Sequence, residues 1–227
     1  MPLNKSNFEF LKTLEANNNR EWFADNKELY QSQYNEVISF ADEVLGSMNQ
    51  HDHLETPNGK KSLYRIYRDT RFSKDKTPYK THWGGYLKRA TAKLRGGYYF
   101  HIQPGNTFVG GGFWSPNPAD LKRIREEIAA SDLELRNIIT DKNFLKTFGE
   151  LRGDQVKTAP KGFDKEHPAI DLLRYKQYLV MRKFSDEEAL SPDFAQQVTE
   201  VFLHMRPFFD YMSEVLTTDI NGVSLVD

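Results

Sequence analysis

The chain predicts an α+β fold, with a central, mostly antiparallel sheet flanked by N-terminal and C-terminal helices. Three observations carry this. Apolar residues recur at helical spacing through residues 8 to 48 and again after Ser191. Between about residues 63 and 113 the period drops to two, the signature of strands. Inside that stretch, Gln103-Pro104-Gly105-Asn106 joins two alternating runs as a turn would. Strands gathered in the middle with helices at both ends indicate an α+β arrangement rather than alternating βαβ units. The 227 residues, 38% hydrophobic and 13% aromatic, suffice for a sizeable core, and no linker interrupts them, so a single domain over 1–227 is expected.

Taken in order, Ser6-Asn7-Phe8-Glu9 has the form of a capping box, and Phe8, Leu11 and Leu14 give the first helix its apolar stripe. Asn17-Asn18-Asn19 stops it, and Asn19 is placed to cap a long second helix whose stripe is Trp22, Phe23, Leu29, Tyr30, Val37, Ala41, Val44, Leu45 and Met48. Gly46 is a point where that helix could stop early. Pro57-Asn58-Gly59 marks a turn. Residues 63–68 alternate as a strand, and Trp83 to Leu87 resume one. Gly97–Gln103 and Thr107–Phe113 form the clearest hairpin, with Tyr98, Phe100 and Ile102 on one face and Tyr99, His101 and Gln103 on the other. Asn117-Pro118 opens a helix, Ser131 to Glu134 is a second capping-box pattern, and a short helix follows Asp141 and ends near Gly149. Val156 sits in a weak strand pattern, and Tyr178–Phe184 is a further strand. Ser191-Pro192 opens the last helix, which Pro207 is expected to kink.

Composition narrows the chemistry. The net charge of −1 gives no global field toward nucleic acid or membrane. There is no cysteine, so disulfides, thiolate metal sites and cysteine nucleophiles are excluded. The opening Met-Pro-Leu-Asn-Lys-Ser has no basic-then-apolar leader and no window nears the roughly 20 apolar residues of a membrane span, so a cytoplasmic protein without membrane contact is expected. No nucleotide-binding glycine fingerprint or nucleophile elbow occurs.

Against this neutral background, Arg65 to Lys80 concentrates charge: six basic side chains in sixteen positions, two acids, and three aromatics between them. Arginine grips phosphate or carboxylate through a planar fork and lysine adds a point charge. The expected ligand-binding residues are Arg68, Arg71, Lys74, Lys76 and Lys80, with Trp83 and Trp114 nearby. His101 and Asp69 are the candidate acid/base groups should the protein be an enzyme, and His82 and His101 could both approach the basic segment if the strands carrying them pair. Asp69, between two arginines, also suits a turn that orients Arg71. Gly110-Gly111-Gly112 reads either as room for a ligand beside Tyr99, Phe113 and Trp114 or as a bulge or tight packing contact. Lys157, Lys161, Lys165 and His167 form a second basic segment that could close over the first. His51 and His53 have metal-ligand spacing without a clear further ligand, so no metal site is assigned and no cofactor is specified.

The most distinctive stretches are Asn17-Asn18-Asn19-Arg20-Glu21-Trp22-Phe23, Tyr67 through Lys80, Gly110 through Trp114, Pro160-Lys161-Gly162-Phe163 and His167-Pro168. With these the chain resembles, over nearly its whole length, a bacterial and fungal family known as domain of unknown function 2461. The resemblance implies membership and no activity, so no catalytic residue comes through it.

The expectation is therefore a protein that binds a small phosphorylated or carboxylated ligand, acting as an enzyme at that anionic group or not. The alternatives are a non-catalytic module for RNA or single-stranded nucleic acid, and an interaction domain that docks an acidic protein partner. Neither the substrate nor the oligomeric state follows from the residues.

Overall fold

A computed structural model describes residues 3–219 and 222–226. Its order is α1 (Lys5–Ala16), α2 (Arg20–Asp25), α3 (Lys27–Met48), α4 (Gly59–Ser62), β1 (Trp83–Lys88), β2 (Gly97–Ile102) and β3 (Thr107–Phe113). There follow α5 (Pro118–Ala130), α6 (Leu133–Ile139), α7 (Lys142–Phe148), α8 (Ile170–Leu173), β4 (Tyr178–Phe184), α9 (Asp186–Ala189) and α10 (Phe194–Thr217). The four strands form one antiparallel sheet in the order β1-β2-β3-β4. The α+β class expected from the sequence is the one observed. No helix among the described residues is long and apolar enough to cross a membrane.

Two compact units are distinguished by their internal contacts. One comprises Met1–Leu87, Tyr99–Val109 and Lys183–Glu200; the other comprises Lys88–Tyr98, Gly110–Arg182 and Val201–Asp227. The boundaries fall inside all four strands and inside α10.

The first unit builds its core from Phe40, Phe100, Phe184 and Phe194. The Phe40 ring stands edge-on to Phe100 at 5.5 Å and stacks on Phe194 at 5.2 Å. Phe8, Leu11 and Leu14 of α1 are buried as the spacing predicts, and so are Val37, Val44 and Met48 of α3. In the second unit, Tyr98 packs on Phe202 and Phe209 of α10. Arg89 is 2% exposed there. It is bonded to the Asp210 carboxylate and the Arg95 carbonyl, and its guanidinium lies 5.8 Å from the Phe209 ring centre.

Several local expectations change. The Ser6 capping box does not form: Asn4 occupies the N-cap, and the Ser6 hydroxyl faces Gln33 across a gap of 3.4 Å. Asn19 does cap a helix, accepting from the Trp22 amide at 2.9 Å, but that helix ends at Asp25 and a new one starts at Lys27. The Asn26 side chain donates to the Trp22 carbonyl at 2.9 Å and takes up the freed end. Gly46 does not end α3, which continues to Met48. Residues 63–68 pair through isolated antiparallel bridges, Leu63 with Gly85 of β1 and Tyr67 with Tyr79 outside the sheet. The 131–134 pattern caps nothing through Ser131, since Asp132 is the N-cap of α6. The capping box that forms is Ser185 with Glu188, on the short α9. Helix α10 carries Pro207 within a continuous helix.

The glycine run is resolved as packing. A Cβ on Gly110 would come within 2.9 Å of the Val180 carbonyl, and one on Gly111 within 2.6 Å of the Phe209 ring. Gly112 has φ +123°, and a Cβ there would fall 2.2 Å from the Tyr178 carbonyl. Bare backbone lets β3 sit tightly against β4 and α10 at this point, and the space is already filled.

Candidate functional site

The basic segment lies in the first unit and is folded on itself by its own polar groups. Asp75 accepts from the Thr77 amide at 2.9 Å, from the Thr77 hydroxyl and from the Arg68 guanidinium. These bonds, the Thr77 amide foremost, hold the Asp75 carboxyl down at about 2. At the tip, Arg71 grips Asp69 through two nitrogens, at 3.0 and 2.7 Å. The Arg71 side-chain bonds lower the Asp69 pKa. Lys76 donates to the Thr70 carbonyl at 2.9 Å and Lys80 to the Arg65 carbonyl at 3.0 Å. Lys74 and Lys76 are exposed.

The returning limb is fastened to the end of α1. The Asn18 amide donates to the Tyr79 carbonyl at 2.9 Å, and its oxygen accepts from the Tyr79 amide at 3.1 Å. Tyr79 is buried and stacks on Phe23 of α2 at 3.9 Å. The Asn-rich turn thus positions the basic segment, and Phe23 backs it.

Between α1 and this limb lies a half-open cavity of about 420 Å³. Arg68 and Lys80 line it with Thr77, Thr81 and His82; Glu15, Asn18, Asp75 and Tyr79 complete the wall. A more open groove of about 550 Å³ shares Asn18 and Thr77 with it and adds Arg20, Thr70 and Lys76. Of the five expected basic residues, the structure brings Arg68 and Lys80 to the cavity and Lys76 to the neighbouring groove. Burial and then Arg65 lower the Lys80 pKa.

His82 and His101 meet: their rings stack with centroids 4.1 Å apart. His101 is 8% exposed, and Tyr99 and Gln103 occupy its two nitrogens at 3.1 and 3.0 Å. Burial lowers the pKa of both imidazoles, that of His82 to about 4. Asp69 sits at the solvent-exposed tip with Arg71 and does not line the cavity. Trp83 is a core side chain, 2% exposed, stacked on Phe10 at 5.9 Å and donating its indole N–H to Asn7 at 2.6 Å. Trp114 is 68% exposed and belongs to the second unit, as do the exposed Lys157, Lys161 and Lys165. Among the described residues, no three His, Asp or Glu side chains gather to hold a metal ion.

Sequence reasoning missed two wall residues. Glu15 and Thr81 line the cavity, and neither belongs to a motif the sequence singles out. Their signal was position alone: one at the end of α1, one at the start of β1.

The model of the conserved hypothetical protein family DUF2461 matches residues 6–211, and the chain belongs to that family. A search of curated proteins and a search of solved structures each found no match.

Proposed function

We propose that this DUF2461 protein binds a small phosphorylated or carboxylated molecule in the cavity between α1 and the Arg65–Lys80 segment. The supporting observation is the cavity itself. Its volume of about 420 Å³ suits a metabolite-sized ligand. Two cationic side chains, Arg68 and Lys80, line it with Thr77 and Thr81, beside the carboxylates of Glu15 and Asp75. Arg68 is held in place by Asp75 and Thr77 through one nitrogen, which leaves the rest of its fork for a ligand. Lys80, with its pKa lowered by burial and by Arg65, gains most from an incoming negative charge.

The test is thermal melting at fixed ionic strength against phosphate, sulfate, nucleotides, sugar phosphates and dicarboxylates. A ligand at 100 times its Kd stabilises by about 2.7 kcal/mol, which moves the midpoint by several degrees. The expected result is a shift with one anion class that falls to about half or less in Lys80→Gln and persists in Arg71→Ala. A flat panel overturns the reading.

A second reading has its own observation. Phe72 at the loop tip is 96% exposed, and the Arg71 guanidinium lies 5.9 Å from its ring centre. With Lys74 exposed beside it, this tip could stack a base of single-stranded nucleic acid and hold its backbone. A steep salt dependence of oligonucleotide binding, lost in Phe72→Ala, is its measurement.

A further inference from the structure

The cavity between α1 and the basic segment carries charge of both signs, and its unpaired charges come from different walls. Lys80 and Arg68 belong to the basic segment; Glu15 belongs to α1. Asp75 is already spent, on Arg68 and on the Thr77 amide and hydroxyl. Lys80 is not. Its ammonium donates to the Arg65 carbonyl at 3.0 Å and lies 5.4 Å from the Tyr64 ring centre, with no carboxylate paired to it among the described residues. Glu15 is exposed at the wall, and its side chain makes no hydrogen bond or ion pair among the described residues, not even with Lys12 one turn back. Once Arg68 and Asp75 are set against each other, one cation and one anion remain on the wall, and they form no pair.

The end of α1 strengthens the negative side. The helix stops at Ala16, with no basic side chain in its last turn. The Asn17 amide caps the Thr13 and Leu14 carbonyls, while those of Glu15 and Ala16 accept no hydrogen bond among the described residues. A helix C-terminus carries partial negative charge on such carbonyls, and a cation placed there is stabilised. Glu15 sits in that same turn. A plain anion drawn in by Lys80 and Arg68 therefore brings its charge toward an unpaired carboxylate and the negative end of a helix. A molecule that also carries an ammonium group turns that repulsion into a second point of attachment.

We infer that the cavity takes a zwitterion: a small molecule whose acid group is held by Lys80 and the spare donors of Arg68, and whose ammonium group is held by Glu15 at the end of α1. The inference rests on the anion-binding reading and narrows its ligand class. Amino acids and amino phosphates share this chemistry, an acid and an ammonium on one short frame. A cavity of about 420 Å³ accommodates such a frame. The ammonium brings three donors, enough for the Glu15 carboxylate and a free carbonyl beside it.

The experiment is titration calorimetry of the full chain at fixed ionic strength with two matched pairs of probes. Glutamate is compared with glutarate, and phosphoethanolamine with ethyl phosphate; in each pair the second lacks only the amine. The expected result is a preference of about fivefold or more for the amine-bearing member of a pair, and the pair that shows it identifies the acid group. In Glu15→Gln the preference falls to about one, with the amine-free member bound no more weakly than before. In Lys80→Gln both members of the pair weaken. Equal affinity within both pairs in the unaltered protein overturns the inference and leaves anion binding standing. A preference that survives Glu15→Gln also overturns it, because another group then holds the amine. No binding of any of the four probes overturns both. Glu15 is exposed and unpaired, so Glu15→Gln is expected to melt as the unaltered protein does; should it not fold, the ratio measured on the unaltered protein still decides.

Discussion

Arg68 and Arg89 make the same bond in opposite surroundings. Each guanidinium meets an aspartate, Asp75 for one and Asp210 for the other. The Arg89 side chain is 1% exposed, and it is also bonded to the Arg95 carbonyl and set against Phe209. The Arg68 side chain is 26% exposed and lines a cavity. Arg89 is a buried cation whose partner Asp210 is half-exposed and also meets Arg206, so its commitment is to packing: removing it leaves a void beside Phe209 and takes a bond from the Arg95 carbonyl. A half-exposed pair beside a cavity is an arginine held at a set angle with donors to spare. The difference between anchor and instrument is burial, and arginine density along the chain does not report it.

The largest effect expected is at the anchor. Arg89→Ala should cost about 3 kcal/mol of folding stability through the void it leaves, read from urea midpoints, while anion binding by the folded protein stays unchanged. An Arg89→Ala protein of full stability would erase the contrast. Next come the cavity cations. Arg68→Gln and Lys80→Gln should each lower affinity for the selected anion by about tenfold or more, with little change in melting temperature without ligand.

The acid response separates the groups further. His82 is held near 4 in the folded protein and sits at about 6.5 unfolded, so the unfolded chain binds the extra proton. Stability should therefore be intact above about pH 6.5 and fall as pH drops toward 4; His101 adds in the same direction. Asp75, lowered from 3.8 to about 2, contributes stability present above 3.8 and lost between there and about 2. In His82→Gln the first decline should flatten and the second remain, in urea midpoints taken across both windows. The smallest effect belongs to the tip. Arg71→Ala should leave melting and small-anion binding unchanged, because its guanidinium is spent on Asp69 in open solvent. A loss of oligonucleotide binding in that variant would favour the nucleic-acid reading.

The fold class, the hairpin at 97–113 and the strand at Tyr178–Phe184 were legible because alternation and turn chemistry are local. The break at Asn26 was not, because α2 and α3 share one continuous helical stripe and a single asparagine, bonded back to the Trp22 carbonyl, divides them. The basic segment was legible as a cluster; the stacking of His82 on His101 was not. Which cations face the cavity was hidden. It depends on Asp69 and Asp75, each two residues from a partner, binding Arg71 at the tip and Thr77 with Arg68 at the wall. Trp83 was misleading for a simple reason: an indole beside a charged segment looks available until a buried Asn7 claims its N–H.

Asn18 completes the picture as a counterfeit strand. Its amide presents one donor and one acceptor to Tyr79, the same pair a neighbouring peptide would offer in a ladder. The cavity wall is thereby stitched to α1 by a single rung made of side chain. Asn18→Asp keeps the outline and removes the donor, setting a carboxylate oxygen against the Tyr79 carbonyl. That near-isosteric exchange should unpick the seam, loosen the limb carrying Lys80 and His82, and appear as faster amide exchange at Tyr79 in a protein that otherwise stays folded.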